Sequence, residues 1–307
     1  MSKLVISSAP HIKTADTTQR LMLNVIISLL PCAIAGVIFF GLNAAIVLAV
    51  AVVSAVLAEF VWQKLAHQKV RIADCSAALT GLLLGLCISP VTPWWVVMIG
   101  SFFAIIVVKQ LFGGIGDNFL NPALTARAVL LASWPAYLTT HIAANGFADV
   151  VTSATPLASS FSQMDLFLGN VPGAIGETSK IAILIGFAYL LWTRTIRWEI
   201  PVFVVLSTMV TTLLLGGDAI MSVLTGGVLF GAVFMATDYV TSPMNRWAQI
   251  VYAIGIGLII VVIRNFGDYP EGVTYAILLM NIAAPLLDRV MPEGKVYGHS
   301  KKKEAKA

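Results

Sequence analysis

The sequence contains few charged residues. Asp, Glu, Lys and Arg make up 11% of its 307 residues, whereas 58% are hydrophobic. Soluble globular domains carry about 25% charged residues, and the mean hydropathy of +0.90 points in the same direction. The shortage of charge therefore argues against an ordinary soluble domain and indicates an all-α polytopic membrane protein with the lipid bilayer as its main solvent.

The sequence also lacks the motifs of several site classes. Its three cysteines, Cys32, Cys75 and Cys87, are scattered, with no C-x-x-C and no histidine at metal-ligand spacing. This pattern argues against a structural zinc or a Cys-ligated iron–sulfur cluster held by this chain alone, so we expect no metal. Walker A, HExxH and dinucleotide fingerprints are missing as well. The net charge of +4 lies in loops and in the tail, so no nucleic-acid partner is expected.

Apolar runs predict about ten membrane-spanning helices, since a crossing takes about 20 mostly apolar residues and fewer where neighbouring helices shield it. The predicted spans are 22–40, 43–63, 76–89, 93–112, 119–134, 180–193, 199–215, 219–237, 248–264 and 272–290. The third and fifth are short and rich in small residues, which favours interior helices. The first twenty residues are polar and include Lys3, Lys13 and Arg20, so no cleavable signal peptide is expected.

Basic residues predict the orientation of these spans, because Lys and Arg accumulate in cytoplasmic loops. With ten spans, one side collects the basic N-terminal segment, the loops after the second, sixth and eighth spans, and the KKKEAKA tail. The stretch between Arg127 and Lys180 contains no Lys or Arg and falls on the other side. Both termini are therefore predicted to be cytoplasmic, and the polar insert 135–179 extracytoplasmic.

The chain contains a candidate internal repeat. LTGLLLGLCISP (79–90) resembles LTGGVLFGAVFMATDYVTSP (224–243), and the stretch 109–127 has a weaker echo in 264–289. Each half would hold five spans, and an odd number requires the second half to be inverted. The predicted organisation is a cytoplasmic segment 1–21, a first five-helix repeat 22–134, the insert 135–179, a second repeat 180–290 and a basic tail 291–307.

Charged residues inside spans are candidates for an ion path, since they are costly in lipid. Glu59 and Lys109 lie near span ends, where we expect them to snorkel towards water. Asp117 in GGIGDNFLNP and Asp238 in FMATDYVTSP stand beside glycine, proline or hydroxyl residues. Either could coordinate a cation or hold a polar ligand, and helix capping at the water boundary is the competing interpretation.

The insert holds two further candidates. Glu177, Thr178 and Ser179 precede the sixth span and fit either helix capping or a phosphate site at a helix N-terminus. The segment DVVTSATPLAS (149–159) carries Thr152, Ser153, Thr155 and Ser159. Pro156 keeps Thr155 extended.

In their order along the chain, GGIGDNFLNPALTAR, SATPLA, GAIGETS and FMATDYVTSP resemble the family that contains the RnfD subunits of Rnf-type ion-translocating electron-transport complexes and their NqrB relatives. In that family a threonine in a D-x-x-[S/T]-G-A-T motif carries FMN through a phosphoester bond. A separate flavin transferase attaches the FMN outside the cytoplasm. The matching residues here are Asp149, Thr152, Ser153, Ala154 and Thr155, with Ser153 where glycine is usual. The resemblance thus implies a covalent FMN on Thr155.

The resemblance also implies a role and partners. The chain would be a flavoprotein subunit of an ion-translocating oxidoreductase in a bacterial or archaeal plasma membrane, without turnover of its own. Its partners would be the other Rnf subunits and the flavin transferase, and riboflavin would be a further cofactor, as in NqrB-like relatives. The short segment before the first span favours the RnfD branch over an NqrB-like subunit of a sodium-pumping NADH:quinone oxidoreductase. A small-solute channel of urea-channel-like architecture is the alternative from another class.

Overall fold

The computed structural model is predominantly helical, and it describes residues 17–142, 152–153, 162–267 and 272–291. The helices are α1 (Thr18–Leu65), α2 (Ser76–Leu86), α3 (Trp94–Phe102), α4 (Pro122–Ser133), α5 (Pro135–Thr139), α6 (Gln163–Leu168), α7 (Lys180–Trp192), α8 (Glu199–Leu214), α9 (Ala219–Leu224), α10 (Val228–Phe230), α11 (Arg246–Phe266) and α12 (Val273–Val290). A 3-10 turn (Ile72–Asp74) precedes α2, and π-helical turns extend α3 (Phe103–Gln110) and α10 (Gly231–Met235). Strands β1 (His141–Ile142) and β2 (Thr152–Ser153) form an antiparallel pair.

Helix α1 consists of two helices that meet at Gly41. Its 48 residues include one non-helical position, Gly41, with φ 68° and ψ −150°. Glycine reaches such a left-handed φ without the steric cost that a Cβ would add. The prediction that one span ends at residue 40 and the next begins at 43 is therefore matched by a break at a single residue.

Contacts along α1 show that the chain reverses at Gly41. Gly36 lies against Ile175, and the Ile175 amide donates to the Ile88 carbonyl at 3.2 Å. On the other side of the break, Leu48 lies against Gly85 near the same end of α2. Both halves of α1 therefore point their Gly41 ends at one face of the molecule.

The opposite ends of the two halves mark the other face. At the start of α1, Asn24 donates to Oγ1 of Thr195, which follows α7, at 3.3 Å. Near the end of α1, Glu59 and Ser76, at the start of α2, are both hydrogen-bonded to Lys109. The described basic loops 64–71 and 194–197 follow these ends. We call this the basic side, and the face of Gly41, β1 and β2 the insert side.

Three helices have the length and hydropathy of a complete crossing by themselves: α1, α11 and α12. Shorter apolar helices occur at Ser76–Leu86, Trp94–Gln110, Pro122–Ser133, Lys180–Trp192 and Glu199–Leu214. Helical residues occupy the positions of all ten predicted spans. The chain is thus a helical, multi-pass membrane protein, while the number of crossings remains a prediction.

Two features of the predicted repeat can be compared in the structure. Leu79, Thr80 and Gly81 lie inside α2, which is buried along almost its whole length, as expected for an interior helix. The matching Leu224, Thr225 and Gly226 lie where α9 ends and the chain turns towards α10. The two L-T-G stretches therefore differ in local structure, and the inverted repeat remains a prediction.

Candidate functional site

The polar insert begins with a short ladder close to the membrane helices. His141 pairs with Ser153, and Ile142 pairs with Thr152. Ser89 Oγ, beyond the end of α2, donates to the Thr140 carbonyl at 2.6 Å. The backbone at 152–153 is thereby held at the insert-side end of α2, and the predicted attachment residues Asp149, Ala154 and Thr155 lie outside the described residues.

The second part of the insert packs between the helices. The Ile175 and Gly176 amides donate to the Ile88 and Leu86 carbonyls at 3.2 and 2.8 Å. Ile175 itself is fully buried. Both strand β2 and this buried segment therefore adjoin the end of α2, which places the sequence candidates 177–179 near the ladder that leads to the attachment motif.

Of the predicted residues 177–179, one caps a helix. Ser179 is the N-cap of α7, and its Oγ accepts from the Ala182 amide at 3.3 Å. Thr178 is buried, and its Oγ1 has no hydrogen-bond partner among the residues that the structure describes. The capping interpretation is confirmed for Ser179, while a cofactor role for the three residues remains a prediction.

Glu177 lies in a buried cluster of charges where the two halves of the chain meet. Its Oε1 is 3.4 Å from Arg127 Nη1 of α4, and Arg127 also donates to Thr274 Oγ1 of α12 at 3.1 Å. The carboxylate lies directly against Gly227, where an added Cβ would be 2.6 Å from both oxygens. Lys180 Nζ donates to the Glu177 carbonyl. This cluster joins the ends of α4, α7, α10 and α12.

An internal cavity near the basic side separates the halves of the chain. The first half lines it with α1, α2, Lys109 and residues 115–123, and the second half with Leu190, Ile196, Phe234 and residues 237–240. The polar side chains that line it are Ser76, Thr80, Lys109, Asn118, Asn121, Thr237, Asp238 and Tyr239.

The two predicted ion-path residues occupy different places relative to this cavity. Asp238 lines it and accepts from Thr241 Oγ1 at 3.0 Å. Asp117 is exposed in the turn beside Gly113 and is not among the lining residues, although its neighbours Asn118 and Asn121 are. Sequence reasoning selected the charged residue of the motif, but the structure places the two amides at the cavity.

The expectation that Glu59 and Lys109 snorkel is wrong. Their exposed fractions are 1% and 3%, and Lys109 Nζ lies 2.8 Å from Glu59 Oε1. Gln110 Nε2 donates to the same oxygen at 2.6 Å, and Lys109 donates to Ser76 Oγ at 2.5 Å. An ammonium and a carboxylate neutralise each other inside the bundle, so neither has to reach water. Opposite charges in two spans of one half were the signal that could have revealed the pair.

The structure is a multi-pass helical bundle with a polar cavity, and a polar insert packs between its halves. These features define the class: a membrane protein with buried polar sites. The chain matches the model of the NQR2, RnfD, RnfE family over residues 5–297. It belongs to that family, which confirms the resemblance found in its motifs.

Named relatives cover almost the whole chain. The D subunit of a Na⁺-translocating ferredoxin:NAD⁺ oxidoreductase complex from Acetobacterium woodii is 49% identical, over 99% of this chain and 98% of that protein. The D subunit of a proton-translocating ferredoxin:NAD⁺ oxidoreductase complex from Clostridium ljungdahlii is 40% identical, over 92% and 93%. The D subunit of an ion-translocating oxidoreductase complex from Stutzerimonas stutzeri is 35% identical, over 93% of each chain.

Proposed function

We propose that this chain is the D subunit of an Rnf-type complex, which couples electron transfer between ferredoxin and NAD to the movement of Na⁺ or H⁺ across the membrane. The observation that carries this proposal is 49% identity over 99% of the chain to a relative named for that activity. The relatives at 49% and 40% identity are named for different ions. Their names therefore leave both ions open for this chain.

Deletion and complementation test this role. Inverted membrane vesicles from cells that lack the gene should lose ferredoxin-dependent NAD reduction, and the intact gene should restore it. A Na⁺-coupled complex accumulates ²²Na⁺ in the presence of a protonophore, whereas an H⁺-coupled complex loses its gradient. Full ferredoxin-dependent activity without the chain would refute the proposal.

The proposed topology has ten crossings in two inverted halves, with the basic side in the cytoplasm and the insert outside. It rests on the helical segments at all ten positions and on the basic loops that share one face. In a variant without Cys32, Cys75 and Cys87, single cysteines at exposed positions of each face, Lys69→Cys and Gln163→Cys, report the sides. A membrane-impermeant maleimide should label Gln163→Cys in intact cells and Lys69→Cys only after permeabilisation, and the reverse pattern would invert the assignment.

The proposed covalent cofactor is FMN on Thr155, in the motif formed by Asp149, Thr152, Ser153 and Ala154. Its support is the family membership and the ladder that holds residues 152–153 at the end of α2. When bound, a flavin supplies one- and two-electron transfer. This chain's own part is to hold residues 152–153 of the motif at the end of α2, where the largely buried segment 171–179 also packs.

Mass spectrometry tests the attachment site. The chain co-expressed with a flavin transferase should carry one FMN-phosphoryl adduct on the peptide that contains Thr155. Thr155→Ala should lose the adduct, and Ser159→Ala, which removes a hydroxyl of the same segment outside the motif, should keep it. An adduct that persists in Thr155→Ala would exclude this site.

The cavity is the proposed place for a second, non-covalent flavin, riboflavin. Asn118 and Asn121, which each donate one amide N–H to a backbone carbonyl, have a second N–H for a heteroaromatic ring, and the Thr237 hydroxyl, which donates to Val233, can accept from it. These amides and hydroxyls would orient the ring, while Leu79, Leu83 and Phe234 would exclude water.

Flavin release tests this assignment. Thr155→Ala protein, which lacks the covalent site, should still release flavin on denaturation. Adding Asn118→Leu should reduce the released flavin at least about tenfold, which corresponds to the loss of one or two hydrogen bonds of about 1 kcal/mol each. Asn170→Leu, at an exposed position away from the cavity, is the matched control. Thr155→Ala protein without any flavin would refute a second cofactor.

A further inference from the structure

A second cavity on the basic side has the chemistry of an anion site. It is an open pocket of about 440 Å³ between the segment that follows α7 and the segment that precedes α11, and Arg194 and Arg197 both line it. Among the described residues that line it, none is acidic. The nearby Glu199 carboxylate is already engaged by Arg246, whose Nε lies 2.8 Å from its Oε1.

The two arginines are available to a ligand. Both are exposed, and neither forms an ion pair within the described part of the chain. Arg194 has φ +53°. This left-handed conformation belongs to the turn that ends α7, in which the Thr195 amide donates to the Leu190 carbonyl at 3.0 Å, and the turn fixes the backbone that carries the arginine.

The wall opposite the arginines carries an unpartnered acceptor. Gln249 is 8% exposed, and its Nε2 donates to the Pro243 carbonyl at 2.8 Å. This bond fixes the orientation of the amide. No described residue donates to Gln249 Oε1, which is buried, and a buried acceptor of this kind is costly until a donor reaches it. The complementary ligand therefore carries an anion for the arginines and a hydroxyl or ammonium group for Gln249.

Exposed aromatic side chains place this cavity at the edge of the bilayer. Trp192 at the end of α7 is 82% exposed, and Trp198 and Trp247 flank the two segments that form the cavity. Tryptophan concentrates at the boundary between hydrocarbon and water. Met244, which lines the cavity, is also 82% exposed. An apolar side chain at the rim suits a ligand with acyl chains.

We propose that this cavity binds the headgroup of an anionic phospholipid, with the phosphate at Arg194 and Arg197 and a headgroup hydroxyl at Gln249 Oε1. Phosphatidylglycerol meets both requirements, because it has one phosphodiester charge and two free hydroxyls. Basic pockets between membrane helices are known places for lipid headgroups. The proposal does not depend on a flavin or on an electron-transfer role.

Lipid binding to the full-length chain tests the proposal. Native mass spectrometry should show one phosphatidylglycerol bound more tightly than phosphatidylcholine. The double variant Arg194→Gln/Arg197→Gln should weaken phosphatidylglycerol about tenfold or more, since each basic residue near a membrane surface contributes to anionic-lipid binding. Lys69→Gln/Arg71→Gln removes the same charge from another exposed loop of the same side and should leave binding unchanged.

Three further binding measurements identify the ligand. Phosphatidylmethanol has the same charge without the free hydroxyls, so it should bind more weakly than phosphatidylglycerol, and equal binding would remove Gln249 from the site. Displacement of the lipid by millimolar inorganic phosphate would mean that a free anion is the ligand. Equal affinity of the wild-type chain for phosphatidylglycerol and phosphatidylcholine, or unchanged binding in the arginine variant, would overturn the proposal.

Discussion

At the scale of single residues, the buried pair of Glu59 and Lys109 allows a stability test. Lys109→Met leaves the Glu59 carboxylate buried without its cation, and breaking a buried pair costs about 3–5 kcal/mol. We expect the free energy of unfolding in mixed micelles, measured by titration with sodium dodecyl sulfate, to fall by that amount. The exposed Lys69→Met is the control and should change little.

The double variant Glu59→Gln/Lys109→Met completes this test. It removes both charges and retains an amide oxygen for Gln110, so it should regain most of the lost stability. A double variant as unstable as Lys109→Met would show that the ammonium stabilises the fold mainly through Ser76.

Gly227 allows a second test at this scale. It has φ +69°, and a Cβ would also meet the Glu177 carboxylate. Gly216 has a similar φ of +78° with open space around the missing Cβ. Gly227→Ala should therefore lower the thermal unfolding temperature more than Gly216→Ala, which reports backbone strain alone. Equal decreases would mean that the carboxylate moves away without cost.

The sequence was a good guide to the kind of residue but not to its surroundings. Spacing found the 177–179 cap and the irregular backbone near Asp117 and Asp238. Burial of Glu59 and Lys109 could not be read from their positions near span ends, because pairing across 50 residues depends on how α1 meets α3. Amides such as Asn118 drew no notice beside a charged neighbour, although cavity walls are often built from neutral donors and acceptors.

At the scale of elements, two asparagine caps can be compared. Asn121 Oδ1 accepts from the Ala123 and Leu124 amides at the start of α4, and Asn245 Oδ1 accepts from the Trp247 amide at the start of α11. Replacing either with alanine should cost about 0.5–2 kcal/mol of stability. Only Asn121 lines the internal cavity.

The flavin content of these two variants is expected to differ. If the cavity holds riboflavin, Asn121→Ala should also lose non-covalent flavin, whereas Asn245→Ala should keep it at a similar loss of stability. Absorbance of the flavin released from purified protein measures the difference. Equal flavin content in the two variants would show that the cavity does not bind the flavin.

Long apolar runs predicted helix positions well, because each run has to be covered by lipid or by other helices. Breaks were harder to predict. The π-helical turns at Phe103–Gln110 and Gly231–Met235 leave no periodic signal in such apolar stretches. Helices α5 and α6 lie in the polar insert and are too short to show a repeat of hydrophobic positions.

At the scale of the whole molecule, the cluster of Arg127 and Glu177 joins the two halves. Arg127→Met and Glu177→Gln should each lower the unfolding temperature, and the double variant should be more stable than the sum of the two losses predicts. Coupling energies of contacting residues are about 0.5–3 kcal/mol. A double-mutant cycle in mixed micelles measures the coupling, and strict additivity would show that Thr274 and Gly227, rather than the ion pair, hold the halves together.

Family membership was accessible from motifs, because it depends on local sequence, whereas the side assignment from charge remains a prediction. The contacts between halves were not accessible, because the insert reaches α2 and α10 from more than 50 residues away. The number of crossings could not be read from the sequence either. It depends on helices that are too short to span a bilayer by themselves, such as α2 and α4, and their burial depends on the helices around them.

The reversal at Gly41 bears on how the chain is made. Residues 21–58 contain no charged side chain, and the two halves of α1 are joined by one non-helical residue. No hydrophilic segment exists there for the insertion machinery to translocate separately. If the basic side is cytoplasmic, as proposed, we expect the first two spans to enter the bilayer together as a helical hairpin, with Arg20 and the basic loop after residue 63 retained on the side of synthesis. In that topology, Gly41 sets the position at which the hairpin turns.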